Sequence, residues 1–148
     1  MDLGATLFRC CSRAFVALYG RWPVFGELAG SVAVIRRASG EYLLQWRNDG
    51  LGWAFPGGTA WRGEDAEHTL RREVQEETGL SLHSCRLLFT YADRVYFPCS
   101  ISVFAGQAEG EPRPSWEGRA EWRRLPSEPF FPSHRPILDY LASHEGPL

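Results

Sequence analysis

Residues 58–80 read GTAWRGEDAEHTLRREVQEETGL and follow directly on a Pro56-Gly57-Gly58 turn. The spacing predicts a short helix carrying Glu73, Glu76 and Glu77 beside Arg72. At about 100° of rotation per residue the three glutamates fall within about 100° of one another, so three carboxylates crowd one helical edge and repel. Gly79 sits where a helix-ending residue belongs, which places all three acids in the last turns, where the macrodipole disfavours anions and favours Lys or Arg. A solvated acidic face chosen for stability alone would not put them there. Hard divalent cations relieve such a cluster, and Mg²⁺ takes one or two protein carboxylates and completes its shell with water and substrate phosphates. The stretch therefore reads as a phosphate-facing metal site.

Position by position, the stretch is similar to the signature of the Nudix hydrolase family, G-x5-E-x7-R-E-U-x-E-E-x-G-U with U aliphatic. Gly58, Glu64, Arg72, Glu73, Val74, Glu76, Glu77, Gly79 and Leu80 fill its fixed positions. The approach Trp53-Ala54-Phe55-Pro56-Gly57 and the late run Trp122-Arg123-Arg124-Leu125-Pro126 also resemble the family. The resemblance implies an α/β/α sandwich. It further implies hydrolysis of the pyrophosphate linkage in a nucleoside diphosphate joined to another moiety, by water activated on a divalent cation. Glu73, Glu76 and Glu77 are then ligands of Mg²⁺, for which Mn²⁺ substitutes, and the backbone carbonyl of Gly57 joins them. Arg72 pairs with a carboxylate of the cluster and with Glu64, holding the ligands in register.

A chain of 148 residues, 44% hydrophobic and 14% aromatic, suffices for one well-packed domain. We divide it into an N-terminal amphipathic helix with connector, residues 1–26, and a Nudix-type domain, residues 27–148. With 16 Lys+Arg against 18 Asp+Glu the net charge is −2, which gives no electrostatic case for general nucleic-acid binding. All the cations are arginine. The lack of lysine removes P-loop, Schiff-base and pyridoxal chemistry, each of which needs an amine. Cys10, Cys11, Cys85 and Cys99 show neither zinc nor thioredoxin spacing and suit reduced thiols, so a cytoplasmic location is expected. No apolar run reaches membrane-span length. Leu3 to Tyr19 is interrupted by Arg9 and Arg13, and its apolar stripe is expected to cap the domain or a homodimer partner.

Along the chain, Ser31 to Arg37 and Glu41 to Arg47 have the pattern of a β-hairpin around Ala38-Ser39-Gly40. Arg86 to Tyr91 and Tyr96 to Gly106 read as two more strands, Pro98 placing the second at an edge or a bulge. Glu121 to Leu125 reads as a last strand, and Ser133 as the N-cap of a helix over Arg135 to Ser143. Strands with one helix in the middle and one at the end suggest a mixed β-sheet sandwiched between helices, of class α/β.

Many family members draw a further acid from a late loop. Glu117 is the choice here over Glu109, Glu111 and Glu121, because it lies just ahead of the last strand. For substrate contacts the candidates are Arg47, Trp53, Gly58 and Tyr96, with Phe97, Phe104 and Trp116 as further aromatics able to stack a base. Gly57 and Gly58 lack a Cβ and let backbone approach a phosphate. The alternative is a non-catalytic Nudix-fold sensor of nucleotides or nucleotide sugars; such modules commonly lose a signature glutamate, and none is lost here.

Overall fold

The computed structural model describes residues 28–95, 98–127 and 129–144. The N-terminal helix expected over residues 3–19, its connector, and Tyr96 and Phe97 lie outside the described residues. Among the described residues seven strands and two helices follow in chain order: β1 (Leu28–Ile35), β2 (Tyr42–Arg47), β3 (Trp53–Ala54), β4 (Gly57–Thr59), α1 (Ala66–Thr78), β5 (Ser84–Asp93), β6 (Cys99–Gln107), β7 (Gly118–Arg123) and α2 (Arg135–Ser143).

The strands form two sheets, a mixed four-stranded one in the order β4-β1-β6-β5 and an antiparallel three-stranded one in the order β3-β2-β7. The expected hairpin of β1 and β2 is thus only a tip. Arg36 bridges Tyr42, and the Arg37 N–H donates to Glu41 O at 2.8 Å, after which the strands part. The reason is occupancy: β1 pairs antiparallel with β4 on one side and parallel with β6 on the other, so neither edge is left for β2. Pro98 precedes β6 instead of interrupting it, and β6 is an inner strand. The bulge falls on β5 instead, between Leu87 and Phe89. Strand β7 begins earlier than expected, at Gly118, where a Cβ would lie 2.2 Å from Trp46 O and only glycine admits the close approach.

Burial on both faces of β1 makes the sandwich. Ala33 and Ile35 pack with Leu43, Leu70, Val74 and Phe104 on the α1 side, while Val32 and Val34 pack with Leu44, Trp53, Phe55 and Ile137 on the α2 side. Each fully buried Leu, Ile or Phe contributes about 1.5–3 kcal/mol. Helix α2 is entered through a 3₁₀ turn at Pro132–His134, so that His134 and not Ser133 occupies the N-cap, without a side-chain cap bond.

His134 joins the two layers. Its Nδ1 accepts from the Phe55 N–H at 3.2 Å, which fixes the neutral tautomer with the proton on Nε2, and the ring is 6% exposed. Burial, and then the charge of Arg47, lower its pKa from 6.5 to about 3. Between those values the unfolded chain binds a proton that the folded one refuses. The stabilisation is therefore present above about pH 6.5 and is lost as pH falls toward 3. At 1.36 kcal/mol per unit the loss is on the order of 4–5 kcal/mol, much of a small domain's stability. Acid unfolding followed by circular dichroism is expected to move to lower pH in His134→Gln, which keeps an acceptor and does not titrate; an unchanged midpoint would remove His134 from the acid transition.

Candidate active site

Helix α1 is set at both ends by its sequence. The Asp65 carboxylate accepts from the His68 N–H at 2.8 Å, and Gly79, at φ 73°, returns its N–H to Gln75 O at 2.9 Å. The buried stripe of the helix is Thr69, Leu70, Glu73, Val74, Glu77 and Thr78. Because Leu70 and Val74 must face the core, Glu73 and Glu77 on the same stripe are carried inward, to 8% and 4% exposure. Glu76 stands at the rim with its side chain 49% exposed.

Two glycines of β4 receive these acids. A Cβ on Gly58 would lie 2.5 Å from the Glu73 carboxyl carbon, so the glycine is what leaves room for that carboxylate. The Gly57 N–H donates to Glu77 Oε2 at 2.8 Å. Arg72 organises the outer side: Nε and Nη2 grip Glu64 at 2.8 and 2.9 Å, and Nη1 reaches Glu73 at 2.8 Å and Glu76 at 3.2 Å. Its Nη2 also donates to Thr59 O at 3.1 Å. The bidentate hydrogen bonds hold the Glu64 carboxyl down to about pKa 2. Trp61, 62% exposed, lies beneath the Arg72 guanidinium at 4.1 Å, a stacking partner that nothing in the sequence pattern announced.

From the opposite side comes Glu117, close enough for its charge to act on Glu77. Burial first, and Glu117 next, push Glu77 well above the usual carboxylate range; burial raises Glu73 and Glu117 as well. Like charges this near disfavour ionising both acids at once, and a cation beside them relieves the repulsion. Two of the rival acids are engaged elsewhere, Glu111 with Arg37 at 2.6 Å and Glu121 with Arg123 at 3.2 Å.

Arg47 forms a fork with Asp49, its Nε at 3.1 and 3.0 Å from the two carboxylate oxygens, and lies over Phe131 at 4.3 Å while its charge acts on both Glu77 and Glu117. Asp49 belongs to the Asn48-Asp49-Gly50 turn that follows β2. Trp53 and Phe104, at 2% and 7% exposure, belong to the core, and Arg123 covers the Trp53 ring at 4.2 Å; the structure offers neither ring to a base. Trp116, beside Glu117, is 69% exposed.

The donors gathered here are oxygens, the set a hard divalent cation prefers. Among the described residues no group of three or more His, Cys, Asp or Glu side chains closes on a metal position. What the chain supplies is the Glu77–Glu117 pair, with Glu73 and Glu76 held ready by Arg72, and this suits an ion that fills its shell from water and phosphate. No helix among the described residues is long and apolar enough to cross a membrane.

A profile of the NUDIX domain matches residues 27–141. A protein of Bacillus subtilis (strain 168) named "Putative 8-oxo-dGTP diphosphatase YtkD" is 40% identical over 67 residues, 45% of this chain and 42% of that one, so the chain spans less than half the length of this curated relative. Among solved structures, a nudix family protein from Chromobacterium violaceum superposes with a TM-score of 0.66 at 29% identity, covering 82% of this chain and 83% of that one. The MutT NUDIX hydrolase of Burkholderia pseudomallei does so with a TM-score of 0.66 at 27% identity, covering 76% and 96%. With the signature on α1, the sandwich around it and the profile running through both sheets, the chain belongs to the Nudix hydrolase family.

Proposed function

We propose that the protein hydrolyses the pyrophosphate linkage of a nucleoside diphosphate derivative, in a reaction dependent on Mg²⁺ or Mn²⁺. The observation that carries this reading is the buried Glu77, which accepts from the Gly57 N–H and stands beside the buried Glu73 on one helix stripe, with the charge of Glu117 acting on it. A cation bound there would neutralise charge on the phosphates and acidify the attacking water. The chain's own residues do the rest. One of the two carboxylates, Glu77 or Glu117, takes a proton from the water as its oxygen bonds to phosphorus and the bridging P–O bond breaks. Arg72 keeps Glu64, Glu73 and Glu76 in register, and Arg47, anchored by Asp49, supplies a positive charge on the β2 side. Gly57 and Gly58 let backbone come close to the phosphates.

Because one relative is named a putative 8-oxo-dGTP diphosphatase, purine nucleoside triphosphates are among the first substrates to test, beside dinucleotides and nucleotide sugars. A phosphate-release screen over these compounds with Mg²⁺ and with Mn²⁺ is expected to find turnover that vanishes in EDTA and returns with either ion. Full activity after exhaustive chelation would sink the cation-dependent reading, and binding without turnover across the screen would favour a sensor.

A further inference from the structure

Strand β2 alternates in the usual way, with Leu43, Gln45 and Arg47 on one side and Tyr42, Leu44 and Trp46 on the other. Leu43 enters the core beneath α1 with Leu70 and Val74, and Arg47, at the far end of the same face, acts on Glu77 and Glu117. Gln45 thus stands between an apolar core and the carboxylate pair. Its cross-strand partners are Ala54 and Ala120, both buried and neither with a side-chain acceptor. A Cβ on Gly118 would lie 3.1 Å from Gln45 Cγ, so the glutamine stem runs along the backbone that carries Glu117.

Gln45 is 2% exposed, and its Nε2 is one of two buried side-chain polar atoms among the described residues without a hydrogen-bond partner. A buried amide donor with no acceptor destabilises the fold, and Leu or Met of similar volume would avoid that cost. Its N–H groups cannot ligate a cation. With the Arg47 guanidinium they make a pair of donors on one strand face, opposite carboxylates that a cation would occupy. An anion completes that arrangement.

We propose that Gln45 is a substrate-binding residue whose amide N–H donates to an oxygen of the bound diphosphate. This rests on the hydrolase reading above, and it explains why a polar residue persists at a core position. Three measurements on the full chain test it. Gln45→Met removes the donor while keeping the volume, so the cation-free protein is expected to melt about 2–6 °C higher. The further rise in melting temperature on adding Mg²⁺ alone should match that of the wild type. Calorimetric binding of α,β-methylene-ADP with Mg²⁺ should weaken about tenfold, the worth of one such hydrogen bond. Gln45→Glu, which puts an acceptor where the donor was, should weaken it more.

A lower melting temperature for Gln45→Met would show that the amide already has a partner, such as a resident water, and overturns the assignment. Unchanged affinity for the nucleotide analogue overturns it as well. Tight analogue binding by the wild type with no turnover of any hydrolysable substrate would instead defeat the hydrolase reading and leave the Gln45 assignment standing.

Discussion

Replacing Glu77 with glutamine is expected to cut turnover by about two orders of magnitude or more while raising the melting temperature of the cation-free protein. Both effects come from the same buried carboxyl. Glu77 is buried, and burial, ahead of the charges of Glu117 and Glu73, is the largest influence raising its pKa. A carboxyl whose folded pKa is raised contributes stability that is fully present below its ordinary value of 4.5 and is lost as pH rises through the folded value. At neutral pH the cation-free protein therefore carries the burden of charging Glu77 beside another acid. The amide removes the charge and keeps the size. It also keeps an oxygen to accept from the Gly57 N–H, now at 2.8 Å from Glu77 Oε2, so the fold should survive. Steady-state turnover and thermal melts across pH 5–8, with and without Mg²⁺, measure both. Near wild-type turnover at saturating Mg²⁺ would remove Glu77 from the reaction centre.

Arg72→Lys should lower cation affinity or turnover about 10- to 100-fold, the usual effect of losing a residue that orients ligands. Arg72 makes two parallel bonds to Glu64 and single bonds to Glu73, Glu76 and Thr59 O, all from one planar group. An ammonium is a compact point charge with three donors and cannot span that set. Its charge would still attract the acids, so the variant separates geometry from electrostatics. Calorimetric titration of Mn²⁺ into the variant reads the loss directly. Wild-type affinity and turnover together would mean that Arg72 contributes only its charge.

The C-terminal end of helix α1 and the shared edge of its acids were legible because Gly79 and the fixed glutamate spacing act locally, within a few turns of chain. The division into two sheets was not. It depends on β4 and β6 claiming both edges of β1, a competition decided by residues far apart in sequence. Gly118 looked like loop because a glycine's value in a strand shows only when a neighbour, here Trp46 O, comes too near for a Cβ. Trp53 was a candidate for base stacking since an aromatic side chain reads alike in a core and in a pocket; its 2% exposure decides the matter. Gln45 escaped notice for a related reason. A lone glutamine in a strand signals nothing until its burial and its missing partner are known.

The parallel pairing of β1 with β6 also bears on how the chain reaches this state. Leu28 meets Cys99, and Tyr42 of β2 meets Arg123 of β7. A ribosome adds about 5–20 residues per second, so β1 waits several seconds after emergence before its inner partner exists. During that interval LAGSVAVI, uncharged and destined for burial on both faces, is an open strand. The β5–β6 pair and α1, built from near neighbours, can form first and offer the surface on which β1 docks. Co-translational yield of this protein is then governed by what shields its first strand until the middle of the chain has been made.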